Sequence, residues 1–148
     1  MEYLTTHDLV WINNIVTGRV LPYDYVTLEA AMAGQYSYGE SRSTLDQAGK
    51  LLDRILRNAP FAHGNRRTAL IATLTFLNAN GYATKSTDRD AADVIFALEQ
   101  GATTAPLAME ALAAPAVSNL PEGLTLRKLM IHECNLHAEA LTALAPGD

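Results

Sequence analysis

Apolar positions recur at three- and four-residue steps along almost all of the 148 residues, which is the period of amphipathic helices. Leu9, Ile12, Asn13 and Val16 share one face of a first helix that Thr6 can cap and Gly18 can end. Asp24 can cap a second helix carrying Tyr25, Leu28 and Met32, with Gly34 as its stop. The run "QYSYGESRS" breaks this period. Its Tyr-Ser-Tyr alternation before Gly39 suits a short extended flap or hairpin. Ser43 and Asp46 then form a capping pair for a third helix, along which Leu45, Ala48, Leu52, Ile55 and Leu56 recur. That helix should stop near Asn58, because Pro60 disfavours helical backbone at Ala59.

A fourth helix is predicted from Asn65 or Arg66 to Asn80, with Gly81 as a left-handed stop. Leu70, Leu74 and Leu77 line one face, with Ala69 and Ile71 beside them. A helix apolar nearly all round belongs at the centre of a fold. Asp88 can open a fifth helix, "DAADVIFALEQ", ending at Gly101, and Thr104 can cap a short sixth. After the polar connection "SNLPEG", a terminal helix is predicted over about 126–144; its stripe of Leu126, Met130, Leu141 and Leu144 needs burial. The expected architecture is one all-α domain over residues 1–148: a helical bundle with a central buried helix, a short β-hairpin flap and an additional C-terminal helix that either completes the bundle or occupies a groove on it.

Composition narrows the class. A hydrophobic fraction of 49% against 18% charged residues suits a compact core. A net charge of -5 argues against a general nucleic-acid binder, which should carry a basic stripe. The single cysteine, Cys134, excludes an internal disulfide and points to a reducing compartment. "MEYLTTHDLVWINN" lacks the pattern of a signal peptide, and no apolar run is long enough for a membrane span. A cytoplasmic protein without nucleic-acid or membrane partners is the expectation.

One stretch stands out from this acidic background: "RNAPFAHGNRRTAL", residues 57–70, in which a compact turn leads into the buried helix through two arginines. The first peptide N–H groups of a helix have no intrahelical partner, and the helix dipole is positive there. Gly64 permits close backbone approach, Asn65 offers an amide, and Arg66 and Arg67 add guanidinium forks suited to phosphate oxygens. Together they form a candidate phosphate cradle. Equally, both arginines can simply solvate the start of a core helix, with Gly64 needed only for the turn.

"APFAHGNRRTAL" resembles the Fic/Doc signature, H-x-F-x-[D/E]-[G/A]-N-[G/K]-R. The N-terminal "YLTTHDLVWIN", the flap-like segment and "TALIATLTFLNANGY" extend the resemblance over about 1–113, closest to the compact Doc-type toxins. Leu70 stands where the longer adenylylating signature has a second arginine. The resemblance implies a protein kinase-like transfer from a nucleoside triphosphate, ATP foremost, to a protein hydroxyl, with nucleotidyl transfer (AMPylation) the lesser alternative. It implies Phe61 as the aromatic anchor of the loop. It places Gly64, Asn65, Arg66 and Arg67 on the phosphates, with Asn65 and Arg67 catalytic. Tyr36, Ser37, Tyr38 and Gly39 would lie in a flap that clamps the target by adding it as a strand. The implied partners are a protein substrate such as a translation factor, and an antitoxin.

Two positions depart from that pattern. The family's histidine, which deprotonates the target hydroxyl, falls on Ala59, whose methyl group accepts no proton. The acidic position that helps hold Mg²⁺ falls on His63, and imidazole is a poor ligand for that ion. The chain should therefore bind better than it reacts. Ala59 leaves two readings open, a natural pseudoenzyme and an inactivating substitution; loss of the base alone matches the second. A non-catalytic Fic-fold binding or regulatory protein is the alternative to a toxin.

Other motifs read as scaffold. His132, Cys134 and His137 in "HECNLH" are poorly spaced for zinc. "SNLPEG" resembles a self-inhibitory pattern of some Fic proteins, but Pro121 opposes the helix that pattern needs. Trp11, Tyr23 and Tyr25 read as packing, and Asp88, Asp90 and Asp93 as a solvated helix start.

Overall fold

The computed structural model describes residues 1–36, 43–85, 88–116 and 125–148, the side chain of Asp88 excepted. Among them the fold is all-α with one small two-stranded sheet. The helices are α1 (Thr6–Thr17), α2 (Tyr25–Met32), α3 (Thr44–Asn58), α4 (Asn65–Ala79), α5 (Asp88–Glu99), α6 (Ala105–Leu112), α7 (Leu126–Leu136) and α8 (Ala138–Leu144). A single 3₁₀ turn, Ala33–Gln35, follows α2.

α4 is the axis of the molecule. Ten consecutive residues, Thr68 to Leu77, are buried, so every face of the helix meets protein. α3 and α1 pack on it from one part of the chain, and α7 and α8 from another. Each fully buried Leu or Phe on such a helix contributes about 1.5–3 kcal/mol relative to exposure. Burial on all sides therefore fixes where α4 begins and what its first turn faces.

The expected caps form at several helix starts. Asp24 accepts from the Thr27 N–H at 2.9 Å, and Ser43 accepts from Asp46 at 3.1 Å. α1 is capped by Thr5 instead of Thr6, because Asp8, three residues on, completes a reciprocal box with it: Thr5 N–H donates to Asp8 Oδ2 at 2.8 Å, and Asp8 N–H to Thr5 Oγ1 at 3.2 Å.

A further expectation is corrected. The terminal helix is broken at His137 into α7 and α8. α7 packs on α4 and α8 on α5, and one straight helix could not follow both neighbours. The strand pairing that is described lies away from the predicted flap. It joins β1 (Tyr82–Thr84) to β2 (Ala113–Pro115), antiparallel, with Ala83 opposite Ala114. This pairing closes the α5–α6 excursion, and no local alternation marks it. Ser37, Tyr38 and Gly39 of the flap, and "SNLPEG", lie outside the described residues. Tyr36 is described and packs its ring 4.7 Å from that of Tyr3.

Side-chain amides pin the N-terminal segment. Gln35 is fully buried and clamps both backbone groups of Leu4, at 2.7 Å each. Asn80 clamps both backbone groups of Glu2 in the same way, at 2.7 and 2.9 Å. Across the molecule, Arg127 of α7 lies over the Trp11 ring at 4.5 Å and 3.4 Å from Asp8, tying α7 to α1.

Candidate anion-binding site

The turn between α3 and α4 is fastened at three levels. Ala59 ends α3 in left-handed backbone, φ 42° and ψ 61°, the one non-glycine residue with positive φ among those described. Residues 60–62 then run antiparallel to 22–24. Asp24 N–H donates to the Pro60 carbonyl at 2.9 Å, and Ala62 N–H to the Pro22 carbonyl at 3.1 Å. Phe61 is buried, its ring 5.9 Å from that of Tyr23. Asn65 closes the loop on itself: its Oδ1 accepts from the Phe61 N–H at 3.0 Å and its Nδ2 donates to the Phe61 carbonyl at 2.8 Å.

Beneath the turn lies Asn13 of α1, fully buried. Its Nδ2 donates to the His63 carbonyl at 2.9 Å and to Thr68 Oγ1 at 3.2 Å. Gly64 sits directly above it at φ 79°. A Cβ at that position would fall 2.5 Å from Thr17 Cγ2 and 3.0 Å from Asn13 Nδ2. Both backbone conformation and space therefore require glycine.

Gly64 has no side chain to cap α4, and an acceptor arrives from 82 residues away. The Asp148 carboxylate takes Arg66 N–H on Oδ1 at 2.7 Å and Arg67 N–H on Oδ2 at 3.2 Å. Arg67 Nε adds a third bond to Oδ2 at 3.0 Å, and Arg66 Nε lies 3.7 Å from Oδ1. The carboxylate is only 2% exposed. Two backbone N–H groups and the Arg67 guanidinium thus hydrogen-bond one carboxylate at a helix start, with the Arg66 guanidinium beside it.

Each arginine is also held from behind. Arg67 Nη1 donates to the Val16 carbonyl at the end of α1, at 2.8 Å. Arg66 stacks over Phe96 at 5.2 Å, pairs with Glu99 at 3.3 Å and donates to the Pro146 carbonyl at 2.7 Å. Glu99 also lines a cleft of about 510 Å³ with Asp53, Leu56, Arg57 and Thr104, so the cradle adjoins a hollow of small-molecule size.

Gly64, Asn65, Arg66 and Arg67 are therefore brought together at the start of α4, beside Phe61. Ala59 and His63 are exposed at the edges of the same turn. Asn13, Asp148 and Glu99 belong to the site and were not singled out from sequence. The polar Asn13 within an otherwise apolar helix face was the one available signal.

Among the described residues no cluster of three His, Cys, Asp or Glu side chains is arranged to hold a metal ion. The nearby carboxylate, Asp148, is engaged by N–H donors, and position 63 supplies an imidazole, so the residues present do not fit a Mg²⁺ site. His132 is exposed, whereas His137 is buried with Nε2 3.3 Å from Glu133. No helix is long and apolar enough to cross a membrane, among the described residues.

Comparison with characterised proteins finds a relative. The chain is 36% identical over 85 residues to Toxin Doc of Mycolicibacterium smegmatis (strain ATCC 700084 / mc(2)155), a match spanning 54% of this chain. Over that stretch the chain is similar to a Doc toxin. It spans 65% of that relative's length. No family model matches the chain, and no solved structure matches it.

Proposed function

We propose that the chain is a Doc-like toxin domain whose cradle at the start of α4 binds the phosphates of a nucleoside triphosphate, ATP foremost, for transfer of a phosphoryl group to a protein hydroxyl. The observation that carries this reading is the buried Asp148 carboxylate, held by the Arg66 and Arg67 N–H groups and by Arg67 Nε. A carboxylate presents two charged oxygens to those donors, as a phosphate would. Arg67, braced on Val16, would hold a phosphate oxygen and offset the charge that develops during transfer. Arg66 would add a second guanidinium, with its plane set by Phe96. Asn65 has its amide committed to Phe61, so its part is to hold the turn in shape. The adjoining cleft has room for a nucleoside.

In the transfer, the target hydroxyl oxygen bonds to the γ-phosphorus as the bond to the departing diphosphate breaks, and the hydroxyl proton must go to a base. Ala59 offers none, and general-base help is worth about 10²–10⁴ in rate. The partners of this reading are a protein substrate, such as a translation factor, and a restraining antitoxin, in a cytoplasmic setting. Nucleotidyl transfer is the lesser alternative.

The test is Ala59→His. The left-handed backbone at position 59 is one that histidine tolerates better than most residues. Expression of the variant should arrest growth, and purified protein should move label from γ-labelled, not α-labelled, ATP onto a protein target. Transfer from neither position would sink the catalytic reading. The alternative, a non-catalytic binding protein, is favoured by Ala59 itself; it predicts nucleotide binding without turnover even in Ala59→His.

A further inference from the structure

We propose that Asn13 of α1 is a positioning residue of the cradle: by holding the His63 carbonyl against α1, it turns the Gly64 N–H towards the anion that Arg66 and Arg67 receive. This rests on the reading of the cradle as a phosphate site and assigns the residue that aims one of its donors.

Asn13 is fully buried, and both bonds from its amide go to the segment that makes the site. Nδ2 donates to the His63 carbonyl at 2.9 Å, in the turn, and to Thr68 Oγ1 at 3.2 Å, in the first turn of α4. Its Oδ1 is buried without a hydrogen-bond partner among the described residues. That orphaned acceptor costs stability, and a leucine beside the buried Leu9 and Ile12 would avoid the loss. What the asparagine contributes is therefore its two donated bonds.

Those bonds fix a peptide plane. The 63–64 peptide is trans, so its N–H points away from the carbonyl that Asn13 holds. Gly64 is left-handed, φ 79° and ψ 19°, and Asn65 begins the right-handed helix. This succession gathers the N–H groups of Gly64, Asn65 and Arg66 into one concavity of the kind that receives anions. Arg66 N–H holds Asp148 Oδ1 there at 2.7 Å, whereas Gly64 N–H has no acceptor among the described residues. Three residues along α1, on the same face as Asn13, the Val16 carbonyl braces Arg67 at 2.8 Å. One helix thus sets the turn and the arginine relative to each other. Without the Asn13 bond the 63–64 peptide is free to rotate and the Gly64 donor loses its aim, while the brace on Arg67 stays.

The experiment compares the chain with Asn13→Leu, which is close in size and donates nothing. Calorimetric titration measures ATP affinity, thermal unfolding measures stability, and proton–nitrogen NMR spectroscopy follows the Gly64 amide as ATP is added. Asn13→Leu should keep the parent's stability and bind ATP about tenfold more weakly. Saturating ATP should shift the Gly64 amide resonance in the parent and leave it in place in Asn13→Leu, with the Arg67 Nε resonance shifting in both. A folded Asn13→Leu with the parent's affinity would overturn the positioning role and leave the cradle reading intact. A weaker affinity with the Gly64 amide still responding as in the parent would do the same. Absence of ATP binding to the parent would overturn both. Should Asn13→Leu fail to fold, Asn13→Ala is read by the same criteria, and in the parent alone a Gly64 amide unmoved by saturating ATP overturns the proposal.

Discussion

Asn65 grips Phe61 by both backbone groups, so the residue that begins α4 also sets the geometry of the loop before it. The two bonds are distinct in kind, one accepted by Oδ1 and one donated by Nδ2. Asn65→Asp separates them, because a carboxylate can accept from the Phe61 N–H and cannot donate to the Phe61 carbonyl. Negative charge in a first helical turn is worth about 0.3–1 kcal/mol of stabilisation. Leaving the carbonyl facing a carboxylate costs about 1–3 kcal/mol. The loss should win, lowering the unfolding free energy by roughly 1–2 kcal/mol. A denaturant titration with unchanged midpoint would show that losing the Nδ2 bond costs no more than the added charge returns.

Gly64 is required for two separable reasons, and a double-mutant cycle can divide them. Gly64→Ala must hold alanine at φ 79° and put its Cβ 2.5 Å from Thr17 Cγ2. Left-handed backbone costs a non-glycine residue about 1–2 kcal/mol, and overpacking typically about 1–3 kcal/mol more. Thr17→Ser removes Cγ2 and keeps the hydroxyl that donates to the Asn13 carbonyl at 2.6 Å. In the Thr17→Ser background, Gly64→Ala should recover the packing part of its loss and keep the backbone part. Strict additivity of the two changes would contradict the close approach.

Much of this fold is legible in the sequence because helices announce themselves locally. The Asp24 and Ser43 caps, the Pro60 stop and the largely apolar run from Ala69 to Leu77 each follow from residues a few positions apart. The basic cluster at 66 and 67 was likewise visible as a place for an anion. What fills that place was not, since Asp148 and Arg67 are 81 positions apart and no periodicity links them. The amide clamps of Gln35, Asn80 and Asn65 were hidden for a related reason: each pairs with backbone, which carries no sequence signal. The β1–β2 pairing, between Tyr82–Thr84 and Ala113–Pro115, is three residues long on each side, too short to show alternation.

Cys134 should be an unreactive thiol in the folded chain. Burial, with the Glu133 charge adding to it, pushes its pKa up to about 11. Both effects disfavour the thiolate, which is the species that reacts with alkylating agents. Relative to an ordinary thiol near 9, about two units reduce the thiolate fraction at pH 8 roughly a hundredfold. Iodoacetamide should therefore label the unfolded chain readily at pH 8 and the native chain at least tenfold more slowly, with the native rate still climbing between pH 9 and 11. Equal rates for the native and denatured protein would mean that Cys134 is neither buried nor repelled by Glu133.

Ala59 is held in left-handed backbone where α3 ends, and that conformation predicts an unusual response to glycine. Elsewhere, exchanging alanine for glycine costs about 0.4–1 kcal/mol, chiefly by loosening the unfolded chain. At φ 42°, glycine also relieves about 1–2 kcal/mol of steric cost between Cβ and the following carbonyl. Relief exceeds the entropy loss, so Ala59→Gly should raise the urea midpoint, by the equivalent of about 0.5–1 kcal/mol. Ala59→Val should lower it, because a β-branched side chain tolerates positive φ least. The two substitutions therefore move stability in opposite directions at an exposed position where neither alters a core contact. A loss of stability in Ala59→Gly would place residue 59 in ordinary right-handed backbone. It would also remove the conformational reason for expecting histidine to fit there.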